Sequence, residues 1–171
     1  MRAVVVYESM YGHTRVVAEA IGAGLRERCD VAVVPVGQAG ADVLDGAELL
    51  VVGAPTHVHG LSRPRSRAAA AAAARKPGAA FDLEEGAEES GVREWLASLG
   101  TVNVLAAAFD TRSRGPAVFT GRASRGIDRE LGRHGAHLVA SPESFLMAGT
   151  DLGAGEEARA RRWGGQLAAV S

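Results

Sequence analysis

Residues 9–14 read Ser-Met-Tyr-Gly-His-Thr and sit between two different patterns. Before them runs the apolar Val4-Val5-Val6-Tyr7. After them Val17, Ile21 and Leu25 recur four apart beside Val16, Ala20 and Gly24, with Arg15 and Glu19 on the other side. The first pattern is that of a buried strand, the second that of an amphipathic helix. A strand, a tight polar turn and a helix start together make an anion site. The first backbone N–H groups of a helix have no intrahelical partner, and its dipole adds about half a positive charge there. Ser9 and Thr14 add hydroxyls, and Gly12 lets the backbone bend close to the anion. The expectation is a phosphate cradle; the plain alternative is an ordinary N-capped turn.

Two further polar stretches carry chemistry-bearing residues. Pro55-Thr56-His57-Val58-His59-Gly60 follows a second apolar run and leads into Arg63, Arg65 and Arg67. Phe109-Asp110-Thr111-Arg112 follows a third, with Arg114, Gly115 and Pro116 after it. An imidazole can relay a proton or stabilise negative charge, and arginines can grip phosphates. Surface histidines and a solvated basic loop are the plain readings of the same residues.

The elements around these stretches alternate. Strands are expected at Ala3–Tyr7, Val31–Val36, Leu49–Ala54, Val102–Phe109 and His137–Ala140, with a further extended piece at Ser144–Met147. Pro55 stops the third strand because it cannot donate to a ladder. Helices are expected from about His13 to Arg28, at the poly-alanine run Ala68–Ala74, and around Val92, Trp95, Leu96 and Leu99, capped by Ser90. Two more are expected from about Gly121 to Arg133 and from Glu156 to Val170. The poly-alanine run has high helix propensity but no periodic face to bury. Residues 75–90 hold Pro77-Gly78 and four glutamates, so about 68–90 is expected to be a solvated, flexible insertion. The alternation implies an α/β protein with a doubly wound, five-stranded parallel sheet of order 2-1-3-4-5. Ligands would then sit at the carboxyl ends of the strands, where all three polar stretches lie.

Composition sets the outer bounds. At 171 residues and 47% hydrophobic content, a single domain spanning 1–171 with one core is expected. A net charge of −1 gives no reason to expect nucleic acid. Cys29 stands alone, which leaves no disulfide framework and no cysteine metal site. No apolar stretch is long enough for a membrane span, and the chain starts directly in a strand, so a cytoplasmic protein is expected.

Several α/β activities are excluded by missing motifs. There is no GxxxxGK[ST] and no G-x-G-x-x-G after the first strand. The residues that follow strands 1, 3 and 4 lack the acidic pair, the phospho-accepting Asp and the Lys of a response-regulator receiver. Cys29 has Pro35 where a Cys-x5-Arg phosphatase loop needs arginine.

Ser9-Met10-Tyr11-Gly12-His13-Thr14 resembles the phosphate loop of the flavodoxin family, a Thr/Ser-x-Thr-Gly-x-Thr type of pattern, and stands directly after strand 1 as it does there. Gly53-Ala54-Pro55-Thr56-His57 resembles that family's second flavin loop, and the stretch after strand 4 is placed like the third. With no long insertion in strand 5, the chain is similar to the short-chain form. The resemblance implies FMN. Ser9, Met10, Tyr11, Gly12, His13 and Thr14 would wrap its phosphate, and Thr56 would hydrogen-bond near the phosphate or ribityl chain. Pro55, His57, Val58, His59 and Gly60 would border the ring system. Phe109, Asp110, Thr111 and Arg112 would line the ribityl and pyrimidine side.

Two departures bear on activity. The family's electron carriers usually sandwich the flavin between a Trp and a Tyr; here His57 stands at the Trp position and the third loop has no Tyr. Those carriers are typically strongly acidic, whereas this chain is nearly neutral with basic flavin-side loops. The resemblance therefore implies an FMN-dependent oxidoreductase. It would take electrons from NAD(P)H or a redox partner and pass them to a small acceptor such as a quinone; a homodimer is a separate expectation. The alternative is an electron carrier or an FMN- or phosphate-binding module without turnover.

Overall fold

The computed structural model describes residues 1–57 and 60–170, the side chains of residues 117 and 119 apart. The first strand, β1 (Arg2–Tyr7), lies inside the sheet, parallel to β2 (Asp30–Pro35) on one side and β3 (Leu49–Pro55) on the other. β3 pairs in turn with β4 (Leu105–Ser113). Strands this apolar must be covered on both faces, and the side chains of β1 alternate accordingly. Ala3 and Val5 face α1 (His13–Leu25) and the last helix, while Val4 and Val6 face the other helical layer.

Three short or middle helices follow the first: α2 (Ala41–Leu44), α3 (Pro64–Ala74) and α4 (Val92–Ser98). Beyond β4 come α5 (Ala117–Thr120), α6 (Ala123–Arg133) and, at the end, α7 (Glu156–Leu167). Val92 and Leu96 of α4 and Ile127 and Leu131 of α6 cover one face of the sheet. Val17, Ile21 and Leu25 of α1 and Ala160, Trp163 and Leu167 of α7 cover the other. Phe109, Phe145 and Trp163 meet edge to face there, with ring centroids 6.1 to 6.4 Å apart.

The fifth strand position is filled in two pieces. β5 (His137–Leu138) pairs with the start of β4 at Leu105 and Ala106, and β6 (Glu143–Ala148) pairs with its end from Phe109 to Ser113. Pro142, which has no N–H for a ladder, lies in the break. A short antiparallel strand, β7 (Asp151–Leu152), closes the edge beyond β6, giving the order β2-β1-β3-β4-β6-β7. The expected order 2-1-3-4-5 is therefore present, and the antiparallel edge is an addition to it.

Other boundaries move for identifiable reasons. β4 runs four residues past the expected end at Phe109, because β3 and β6 pair with it on both sides there. α1 stops at Leu25 rather than Arg28, in a turn in which the Arg28 and Cys29 N–H groups both reach the Leu25 carbonyl. Gly91, not Ser90, caps α4. Trp95 is only half-buried, its indole N–H donating to the Ala39 carbonyl at 2.8 Å. Val170, the expected end of the last helix, lies beyond α7 and is 61% exposed. The poly-alanine helix starts at Pro64 and does bury a face, through Arg67 and Ala71.

α1 and α7 cross at glycines. A Cβ on Gly164 would lie 2.2 Å from the Ile21 carbonyl oxygen, and one on Gly24 would lie 2.0 Å from that of Arg161. Gly164→Ala is expected to force the helices apart and to destabilise the fold by about 1–3 kcal/mol, read as a lower urea midpoint. An unchanged midpoint would mean that the crossing is looser than this packing requires.

Candidate functional site

The cradle is built from the end of β1 and the start of α1. Ser9 Oγ accepts the Gly12 N–H at 3.1 Å, closing the turn. Gly12 sits at φ +90°, a conformation that side chains with a Cβ rarely adopt. The helical ladder begins with the Val16 N–H on the Gly12 carbonyl at 3.0 Å. The N–H groups of His13, Thr14 and Arg15 therefore precede it and point out of the helix start. No side chain caps that end, so these donors await an acceptor from outside.

Three loops converge on this turn. Thr14 Oγ1 and Thr111 Oγ1 are hydrogen-bonded at 2.8 Å, both buried. The Thr56 N–H donates to the Thr111 carbonyl at 2.8 Å, joining the second loop to β4. His57 and Gly60 exchange backbone hydrogen bonds at 2.8 and 2.9 Å. Val58 and His59, two of the expected flavin-side residues, lie outside the described residues. Together the loops enclose a cavity of about 180 Å³. Of the residues singled out in the sequence, Ser9, Met10, Tyr11, His13, Thr14, Pro55, Thr56, His57, Thr111 and Arg112 line it.

Other expected site residues are placed elsewhere. Phe109 is fully buried in the α1/α7 core. Asp110, its neighbour in β4, points through the opposite face of the sheet, since successive strand side chains alternate. There its Oδ2 accepts the Ser124 N–H at 2.8 Å, while Thr56 Oγ1 accepts the Ala123 N–H at 3.0 Å. The two side chains cap α6 together, and of them only Thr56 also lines the cavity. Gly60 lines a neighbouring groove instead. Arg112 spends one guanidinium nitrogen on Gly115, Thr120 and Ser113, and its Nε is buried without a partner. Of the three alternating arginines, Arg63 and Arg65 are exposed. Arg67 is buried against Ser62 and Glu94, 3.0 Å from each.

Residues 75–90 supply what sequence reasoning missed. Phe81 lines the cavity and stacks on Tyr11 with centroids 4.6 Å apart and planes 10° from parallel; His13 meets its edge at 6.0 Å. The segment is tied to the cradle by the Glu84 N–H on the Met10 carbonyl at 2.9 Å and by an Arg15–Glu84 ion pair. The Tyr11 hydroxyl donates to the Ala70 carbonyl at 3.0 Å. A lone aromatic in an acidic, Gly-bearing stretch was the available signal. Met147 and Gly149, at the far end of β6, complete the wall. Glu8, also unanticipated, is 2% exposed beneath the turn; its Oε2 accepts the Val92 N–H at 2.8 Å. Burial raises its pKa, and hydrogen bonds from Ser62 and Val92 oppose the rise.

This is a doubly wound α/β protein with a glycine turn and an uncapped helix start at the carboxyl end of its first strand. The sequence model of the flavodoxin family matches residues 5–163, and the chain belongs to that family. A flavodoxin from the domain Archaea superposes with a TM-score of 0.69 at 22% identity, over 99% of this chain and 97% of that one. The flavodoxin of Streptococcus pneumonia TIGR4 gives 0.67 at 19% identity, covering 100% of both chains. A flavodoxin WrbA-like protein from Agrobacterium tumefaciens gives 0.65 at 20%, over 99% and 96%. A search of curated proteins gives no match. FMN is the family's cofactor, and the residues present fit it. Free helix-start donors and two hydroxyls suit its phosphate, and the aromatic and apolar wall of Phe81, Met10 and Met147 suits a flat ring. Arg112 also lines the cavity, its Nε buried without a hydrogen-bond partner among the described residues.

Two outcomes test this geometry. Phe81→Ala removes the stacked wall, and aromatic pairs are worth about 0.5–1.5 kcal/mol beyond their area. FMN affinity is expected to fall by about tenfold or less in a fluorescence titration; an unchanged Kd would place Phe81 away from the flavin. The second concerns His57, whose pKa burial pushes down, assisted by the charge of Arg67. The unfolded chain therefore binds its proton more readily, and the His57 contribution to stability falls as pH drops below about 6.5. His57→Gln is expected to flatten that part of the pH profile in urea denaturation between pH 7.5 and pH 5.

Proposed function

We propose that the protein is an FMN-dependent oxidoreductase. It takes electrons from NAD(P)H or a redox partner and reduces a small acceptor such as a quinone, in the cytoplasm. The charge at the cavity carries this reading. Among the described residues lining it there is no carboxylate, while the guanidinium-bearing Arg112 is one of them. That wall suits a small electron-poor or anionic reactant better than the acidic docking face expected of a carrier.

When bound, FMN supplies one- and two-electron chemistry. The chain's own part is binding and electrostatics. The N–H groups of His13, Thr14 and Arg15, with the Ser9 and Thr14 hydroxyls, hold the phosphate. The buried Thr14–Thr111 pair keeps the second turn of contacts in register. His57 is held neutral by burial, so its ring can donate or accept a hydrogen bond without bringing a fixed charge. Arg112, a lining residue, brings a fixed positive charge to the cavity.

A visible spectrum of the purified protein tests the reading. Flavin bands that NADPH bleaches are expected. A flavoprotein reduced by dithionite but untouched by NADPH and by reduced redox proteins would favour a binding module, and a colourless protein that fails to take up FMN at tens of micromolar would overturn the reading. Ser9→Ala with Thr14→Ala is expected to weaken FMN by tenfold or more, since hydrogen bonds to a charged group are worth about 1.5–3 kcal/mol each.

A further inference from the structure

A second, larger cavity of about 820 Å³ opens between α4 and α6 on the far side of the second flavin loop. Leu61 and Leu96, both buried, line it from the core side, and Val118, 79% exposed, is the most exposed of the large hydrophobic side chains described. Its walls carry four arginines. Arg93 and Arg122 are braced on backbone carbonyls, Arg93 on Leu61 and Ser62, Arg122 on Pro142. Arg125 and Arg129 stand one turn apart on α6, exposed, and form no hydrogen bond or ion pair among the described residues. Glu130, the one carboxylate in the lining, is taken by Arg133. The groove is thus strongly and locally positive in a chain whose net charge is −1. It also adjoins the cavity at the cradle, the two being lined by different residues that are bonded to one another. Thr56 lines that cavity and bonds to Ala123 beside Arg122, and Arg112 reaches Thr120 of α5.

We propose that this groove binds the nucleoside diphosphate half of a pyridine dinucleotide. The planar base would cover the exposed Val118. The phosphates would meet Arg125 and Arg129, whose guanidinium groups suit phosphate oxygens. Helical spacing sets those two arginines about 6 Å apart along α6, a separation that two linked phosphates can bridge. The volume lies within the range of about 300–1,000 Å³ usual for small-molecule sites. The proposal rests on the reading that a pyridine nucleotide donates electrons to the flavin. It adds the place where the donor's remote half is held, beside the flavin cavity.

Calorimetric titration of FMN-loaded protein with ADP tests the groove apart from turnover. ADP is expected to bind, and Arg125→Ala and Arg129→Ala each to weaken it by about tenfold, with FMN affinity unchanged. Both substitutions are on an exposed helix face, where alanine is well tolerated. In steady state the same variants are expected to raise the KM for NADPH with little change in kcat. No heat from ADP at about 5 mM, equal ADP affinity in the variants, or binding of polyglutamate in place of ADP overturns the proposal. If NADPH reduces the flavin with unaltered KM in both variants, the groove fails while the oxidoreductase stands. If ADP binds as expected but NADPH leaves the flavin oxidised, the groove stands as a nucleoside diphosphate site and the donor in the proposed function fails.

Discussion

One buried hydrogen bond, between the hydroxyls of Thr14 and Thr111, sets the shape of the site. Thr14 belongs to the first turn of α1 and Thr111 to the far end of β4, ninety-seven residues later. Their pairing holds the helix start, with its unspent N–H groups, against the strand end that carries Arg112. The Thr111 carbonyl then takes the Thr56 N–H and brings in the second loop. A polar pair in so dry a place must satisfy itself, because a lone buried hydroxyl costs on the order of 1–3 kcal/mol. The loops are joined by that requirement.

The sheet makes the joint possible. β1 is flanked by parallel neighbours on both sides, so its carboxyl end, and the turn after it, cannot drift. β4 is extended past its apolar stretch by pairing with β3 and β6. In a strand, extension means alternation. Once Thr111 points toward the cradle, Asp110 must point the other way. There it meets the exposed N–H groups of α6 and caps them beside Thr56. The start of α6 is thereby satisfied from within the protein, whereas the start of α1 is left for a ligand. Two helix N-termini at the same sheet edge have opposite fates, decided by which side chains the strand register sends to each.

Much of this was legible. The turn at 9–14, its helix, the apolar strands and their order follow from local periodicity, and the family resemblance followed from the same residues. The length of β4 was not legible, because Asp110-Thr111-Arg112 looks like loop until two partner strands are known. Nor was the role of residues 75–90. Their glutamates and glycines read as solvated chain, yet Phe81 stacks on Tyr11 and Glu84 pairs with Arg15. Those contacts join residues about seventy positions apart, and no local pattern encodes them. An aromatic ring thus reaches the cavity from a part of the chain outside the three loops.

The sequence by itself determined the anion cradle. A strand, a glycine turn and an uncapped helix leave free donors wherever they occur, since the backbone makes them. The tertiary structure alone decided what surrounds the cradle. Which strand end meets it, which aromatic walls it and which arginines gather in the adjoining groove depend on side chains brought together across the sheet. Their direction is fixed by pairing and register, which no single stretch of chain contains.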